Sequence, residues 1–289
     1  MKVIGISGRK QAGKNTTANI LNGLVLQKYG LAEDWNIGAE GDLNVLTHDT
    51  FGNLGWGGFD ITRKDREFVE YAELNLWPYV KLYSFADSLK QMCVELFEIP
   101  HGCVWGTDDQ KNTLQEHLLW ENMLGVIVPQ EANFLFNETS GGYNCVDMLT
   151  PSVTDEEFIK RKFEGILSFD DGLFLIHKPG PMTAREFMQF LGTDVMRKMY
   201  GPIWINSCIK RIQQEQSELA IIADIRFPNE AEAITKIGGD LWRLNRVPFS
   251  DDKHSSETAL DDYPFKTVID NADKSVDHLV ESVKQLFRR

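Results

Sequence analysis

The chain has 289 residues, 42% hydrophobic and 25% charged, an ordinary globular composition that can bury a full core and excludes wholesale disorder. Thirty Lys and Arg stand against 43 Asp and Glu, and the net charge of −13 argues against a broad nucleic-acid footprint, which normally needs a basic face. An anionic ligand must then be met by a local basic cluster. No apolar run approaches the ~20 residues of a membrane helix, and no secretory leader pattern precedes the first apolar run. Cys93, Cys103, Cys145 and Cys208 are too far apart for C-x-x-C sites, so reduced thiols of a cytoplasmic protein are expected.

In chain order, Lys2-Val-Ile-Gly-Ile-Ser7 predicts a strand that feeds Gly8-Arg-Lys-Gln-Ala-Gly13-Lys14-Asn15-Thr16-Thr17. Gly8 and Gly13 match the G-x-x-x-x-G-K spacing of a phosphate cradle. Glycines let the turn aim backbone N–H groups at phosphate oxygens, Lys14 adds a point charge, and the following helix adds its positive end. The strand before and the helix-like Thr17-Ala-Asn-Ile-Leu after supply the context that a chance glycine loop lacks. The nucleotide-binding set is therefore Gly8, Lys10, Ala12, Gly13, Lys14, Asn15, Thr16 and Thr17. Asn15 stands where Ser or Thr usually holds magnesium, so the hydroxyl must come from Thr16 or Thr17. This G-K-x-T order is a variant found among nucleotide kinases.

Residues from about Leu31 to Trp77 interrupt the pattern with the Gly-rich Asn53-Leu-Gly-Trp-Gly-Gly58 and a helix-like Lys64 to Leu76. Tyr79 to Phe85 predicts a second strand and Asp87 to Phe97 an amphipathic helix. Lys90, in that helix's first turn, is misplaced for the helix dipole, which favours service to an anion over a merely solvated lysine. A second irregular stretch runs from about Glu121 to Pro181 and includes a Thr154-Asp-Glu-Glu157 capping box. Lids, dimer contacts and decoration are all open for both.

Thr183-Ala-Arg-Glu186 is another capping box, opening a helix that carries Arg185 and Gln189 and meets a glycine break at Gly192-Thr193-Asp194 before Arg197. Such a cluster is as readily an anion- or base-binding face as a solvated surface, and a guanidinium fork suits phosphate. Leu219 to Ala223 reads as a buried strand. Asp224 and Arg226 follow at its carboxyl edge, where an acid orients substrate or holds Mg²⁺ through water. The structural alternative for Asp224 is a helix cap, but Pro228 and Asn229 can start the next helix without it. That helix runs from Asn229 to Ile237. Asp240 to Leu244 and Thr267 to Asp270 are predicted strands, Arg243 and Arg246 could approach the same edge although only one of them need point inward, His254-Ser-Ser-Glu-Thr258 is turn-like, and Val276 to Phe287 is the last helix. Short strands that are apolar on both faces, separated by helices, predict an α/β class: a three-layer α/β/α P-loop NTPase architecture with a parallel, roughly five-stranded sheet. One domain over 1–289 is expected, with insertions near 31–77 and 121–181.

The G-K-x-T loop, Ser84-Phe-Ala-Asp-Ser-Leu-Lys90, Thr183 to Asp194, Asp224-Ile-Arg-Phe-Pro-Asn-Glu230 and His254 to Leu260 together resemble, in order, the deoxynucleoside monophosphate kinases of tailed bacteriophages. The resemblance implies the nucleoside monophosphate kinase fold, ATP as donor, a deoxynucleotide as acceptor, and often a homodimer. By it Gly8 to Thr17 hold ATP, while Lys90, Arg185, Gln189, Gly192, Thr193, Asp194 and Asp224 are acceptor-side candidates. Trp204 is a further candidate for the sugar or base wall. Thr16 and Asp224 are expected to place Mg²⁺, and Lys14, Arg185, Arg197 and Arg226 to act on the transferring group. Two rivals stay open: a kinase of an alcohol with Asp87 as general base, and a nucleotide-dependent switch or ATPase acting on a macromolecule. A non-catalytic binding module is disfavoured by Lys14 and the convergent arginines.

Overall fold

A computed structural model of the chain describes residues 1–9, 11–49, 51–123, 126–127, 134–137, 142–145, 165–169, 172–177, 180–246, 259–272 and 275–288. Strand β1 (Lys2–Gly8) is buried along nearly its whole length, as a central strand covered on both faces must be. Helix α1 (Lys14–Lys28) follows at once and buries Ala18, Ile20, Leu21, Val25 and Leu26. The first insertion is a meander of β2 (Asp34–Ile37), β3 (Leu43–His48) and β4 (Leu54–Gly58), antiparallel throughout, then helix α2 (Arg66–Asn75). Trp35, Leu43 and Val45 point inward and join the core of α1, so this segment is integral to the fold. The helix expected over Lys64 to Leu76 starts at Arg66 because Asp65 caps it, accepting from the Phe68 N–H at 3.1 Å. Strand β5 (Val80–Tyr83) and helix α3 (Asp87–Phe97) come next.

There follow α4 (His101–Trp105), α5 (Asp108–Lys111), β6 (Leu114–Leu119), β7 (Val126–Ile127), β8 (Phe134–Asn137), β9 (Gly142–Cys145), β10 (Gly165–Phe169), β11 (Gly172–His177), β12 (Pro181–Thr183) and α6 (Ala184–Gln189). β6 pairs with β12, β10 with β11, and β8 with β9, all antiparallel, while β7 lies parallel to β11. The stretch expected to be irregular over 121–181 thus contains short strands, and its Thr154 capping box lies outside the described residues. Thr183 does open α6 as predicted: its hydroxyl accepts from the Glu186 N–H and Glu186 returns to the Thr183 N–H. No glycine break follows. Phe190–Arg197 continues as a π-helix with Gly192 buried inside it, its aromatic flank held by Trp120 against Phe190.

The chain ends with α7 (Ile203–Glu215), β13 (Leu219–Ile225), α8 (Pro228–Lys236), β14 (Asp240–Asn245), β15 (Thr267–Asp270) and α9 (Val276–Phe287). The main sheet has the order β15-β14-β1-β13-β5, and every pairing in it is parallel. Ile4 and Ile6 face the α1 layer, whereas a Cβ at Gly5 would overlap Ile225 and Ile234, the latter on α8, so helices cover both faces. This is the expected α/β class with a five-stranded parallel sheet. β1 leads toward β5 on one side while β14 leads to β15 on the other, which places a topological switch point at the carboxyl end of β1. The described chain divides into two compact units, one of residues 1–91 and 199–289 and one of residues 92–198. Among the described residues no helix is long and apolar enough to cross a membrane.

Candidate active site

At the switch point in the first unit, the loop from Gly8 to Lys14 is wound tightly by its own backbone. The Ala12 N–H bonds to the Arg9 carbonyl at 3.1 Å, and Gln11 and Gly13 take φ of 61° and 99°. Gly13 must be glycine, since a Cβ in that left-handed conformation would also lie 3.0 Å from Asn271 Nδ2. A side chain at Gly8 would sit 3.1 Å from the Leu244 carbonyl of the neighbouring strand. Lys14 Nζ donates to the Gly8 and Arg9 carbonyls at 2.6 and 2.9 Å, which holds the ammonium across the loop mouth. Thr17 is fully buried and donates to the Gly13 carbonyl, whereas the half-buried Thr16 hydroxyl packs on Gly41. Lys10 lies outside the described residues.

A brace that the sequence does not reveal holds this loop from behind. Asn271, buried just after β15, donates from Nδ2 to the Ala12 carbonyl at 2.9 Å while its own N–H bonds to the Asn245 carbonyl. The only local signal was a polar residue following Asp270 at the sheet's carboxyl edge. Asn271→Ala is expected to lower stability by about 1–2 kcal/mol, checked by urea melts, because a buried carbonyl loses its donor.

Arginines line the rim. Arg243 donates to the Ser7 hydroxyl at 3.0 Å and pairs with Asp261 at 2.6 Å, while Arg9 pairs with the other oxygen of Asp261 at 2.5 Å. Arg246 donates to the Gln11 carbonyl at 3.1 Å. Only one of Arg243 and Arg246 needed to point inward; both reach the loop, Arg243 at its root and Arg246 at its crest.

On the β5 side, Asp224 near the end of β13 accepts from the Ser84 hydroxyl at 2.7 Å through Oδ2, and its Oδ1 is buried with no hydrogen-bond partner. Burial pushes this carboxyl above its ordinary value, the Ser84 hydrogen bond opposes that, and Asp87 adds to it; Arg226 and Lys90 act in the lowering direction. Asn229 does not cap α8, contrary to expectation. The buried Glu230 carboxylate instead accepts from the Arg226 and Phe227 N–H groups at 2.9 and 3.1 Å, and Pro228 opens the helix. Asp224 is free of capping all the same. Asp87 accepts from the Ser84 N–H at 3.0 Å and pairs with Arg211 at 3.4 Å, so it anchors the turn that carries Ser84. Lys90 lies one turn further along α3. Trp204 is buried in the first turn of α7.

The second unit carries the remaining predicted residues on one continuous helical run. Arg185 pairs with Asp108 at 2.6 Å, and its Nε is buried with no hydrogen-bond partner. Gln189, Thr193 and Arg197 are exposed, Gly192 is buried, and Asp194 pairs with Lys198 at 3.2 Å.

A parallel sheet with a lysine-bearing glycine loop after its central strand, and an acid at the carboxyl edge of the adjacent one, defines a P-loop protein built for phosphoryl chemistry. The family model for deoxynucleotide monophosphate kinases matches residues 130–283, more than half of the sequence and including the Thr183 to Asp194 and Asp224 to Glu230 blocks, so the chain belongs to that family of kinases. A protein of Acanthamoeba polyphaga mimivirus, named provisionally as a deoxynucleotide monophosphate kinase, is 23% identical over 193 residues, 61% of this chain and 67% of the relative. The deoxynucleoside-5'-monophosphate kinase of Escherichia phage T5 is 29% identical over 83 residues, 27% of this chain and 32% of the relative, so that match spans about a third of the phage enzyme.

Proposed function

We propose that the protein transfers the γ-phosphoryl group of Mg-ATP to the 5′-phosphate of a deoxynucleoside monophosphate, giving the diphosphate. The observation that carries this reading is the buried, unpartnered Asp224 Oδ1 on the strand next to the phosphate loop. A hard divalent cation prefers such an oxygen, so the residues fit magnesium. Asp224 and the Thr16 hydroxyl would hold it, and the ion would supply charge neutralisation on the phosphates. The acceptor oxygen is already anionic at neutral pH, since a phosphomonoester's second pKa is about 6, so no strong general base is required. What the protein must do is hold two anions in line. Loop amides and Lys14 bind the donor phosphates. Lys90, Arg185, Gln189, Gly192, Thr193, Asp194 and Trp204 are assigned to the acceptor, and Arg226 and Arg197 to the charge that develops on the transferring group.

Asp87 speaks against the rival alcohol kinase, because its carboxylate is committed to the Ser84 N–H and to Arg211. Asp87→Asn should cost about 1–3 kcal/mol of stability through the weakened ion pair, with kcat kept within about fivefold. Near-complete loss of turnover with ATP binding intact would instead restore Asp87 as a base. The function itself is tested by a coupled assay of the purified protein with ATP, Mg²⁺ and each deoxy- and ribonucleoside monophosphate. One ADP per deoxynucleoside diphosphate is expected. Turnover of no monophosphate, or ATP hydrolysis indifferent to all of them, defeats the proposal.

A further inference from the structure

Ser84 follows β5, one residue past the last register pair between that strand and β13, Tyr83 with Ile222. Three contacts hold it. Its N–H donates to Asp87 Oδ2 at 3.0 Å, its hydroxyl oxygen accepts from the Ala86 N–H at 3.1 Å, and the hydroxyl proton goes to Asp224 Oδ2 at 2.7 Å. The first two contacts form a local turn that opens α3 and serve that helix start alone. The third is not local, since it joins residues 140 positions apart on neighbouring strands.

The turn is clamped from behind. Arg211 on α7 meets Asp87 Oδ2 at 3.4 Å and Glu215 Oε1 at 3.6 Å, and the other Glu215 oxygen accepts from Lys81 at 2.6 Å and from the Tyr83 hydroxyl at 2.8 Å. Lys81 and Tyr83 are buried residues of β5, with the Lys81 ammonium 3.7 Å from the centre of the Trp77 ring. Strand, turn and α7 are thus tied together within the first unit by charge-assisted contacts, and the turn holds Ser84 in place.

A carboxylate turns about its Cβ–Cγ bond unless one of its two oxygens is held. Ser84 holds Oδ2 of Asp224, and Oδ1 is left buried with no hydrogen-bond partner. Resting on the magnesium role given to Asp224 in the function proposed above, we infer that Ser84 is a positioning residue: it fixes the Asp224 carboxylate so that Oδ1 is the oxygen presented to the cation. The hydroxyl itself need touch neither nucleotide nor metal. It removes rotational freedom from a ligand oxygen before the cation arrives, and it fills the second oxygen without adding charge. Magnesium tolerates little error in the placement of its oxygens, so the loss of such a support is felt in its affinity.

The test measures binding of a non-hydrolysable ATP analogue by calorimetry, with Mg²⁺ and with EDTA in its place, for wild type, Ser84→Ala, Ser84→Thr and Asp224→Asn. Ser84→Ala should weaken binding of the Mg²⁺ form about tenfold, the scale of one hydrogen bond to a charged group, and leave the metal-free form within about twofold. Ser84→Thr keeps the hydroxyl and should stay within about threefold of wild type. In the Asp224→Asn background, Ser84→Ala should cost no more than about a further twofold, because the group it acts through is already changed. Should the alanine variant fail to fold, Ser84→Cys, with its weak S–H donor, is expected to show the same loss. A Mg²⁺ form unweakened by Ser84→Ala, a loss in Ser84→Thr as large as in Ser84→Ala, or an undiminished loss on top of Asp224→Asn each overturns the positioning role. So does wild-type binding that is indifferent to Mg²⁺. No acceptor enters these measurements, so failure to phosphorylate any monophosphate defeats the kinase reaction proposed above and leaves this inference standing.

Discussion

Lys14→Ala is expected to lower kcat/KM by about 10²–10³-fold, the scale seen when one preorganised donor to developing charge is removed. Nζ already lies across the loop mouth on the Gly8 and Arg9 carbonyls, so the cation is delivered to the phosphates by a short swing. The loop shape does not depend on it. Gly13, the Ala12 to Arg9 turn and the Asn271 brace keep the cradle formed, and the melting temperature should stay within a few degrees. Turnover within tenfold of wild type would remove this loop as the donor site.

Asp224→Asn should abolish most activity, by about 10²-fold or more, and at the same time change how stability depends on pH. Burial raises the carboxyl above its ordinary 3.8, so the folded state holds this proton to higher pH than the unfolded chain does. Between the unfolded and folded values the folded state binds more protons, and the Asp224 contribution to stability falls as pH rises through that window. Above it the full cost of a buried charge is present. The asparagine variant has no such proton, so urea melts from pH 4 to 7 should lack this decline while Ser84 can still donate to the amide oxygen. A variant with unaltered turnover would contradict the role given to this residue.

What could be read from the sequence was whatever is encoded locally. Asp87–Phe97, Thr267–Asp270 and Val276–Phe287 match their predicted spans because apolar periodicity and flanking turn residues set them without outside help. The phosphate loop was legible for the same reason, its glycines and lysine being consecutive. The meander was not, because its exposed Gly-rich β4 has little strand propensity and is held by pairing to β3, which in turn rests on α1 through Trp35 and Leu43. Gly192 does not break the helix: a cost of about 1 kcal/mol for glycine in a helix is offset by the burial of Phe190 together with its edge contact to Trp120. Asn271 meets Ala12 across 259 positions, and Arg243 reaches Ser7 because those two residues are register partners on adjacent strands. Neither relation exists until the sheet is assembled. At the α8 start, the side chain that captures two backbone N–H groups is Glu230, and Asn229 lies exposed beside it.

In the proposed reaction the donor nucleotide on the phosphate loop and the acceptor nucleotide are pressed end to end. Binding of adenosine and deoxyguanosine joined 5′ to 5′ by five phosphates, followed by titration calorimetry with Mg²⁺ present, tests it most directly. The account predicts a Kd at least about 100-fold below that of ATP, since the second nucleotide binds without a second loss of translational freedom, and loss of that gain in Lys14→Ala. Binding no tighter than ATP alone would contradict it.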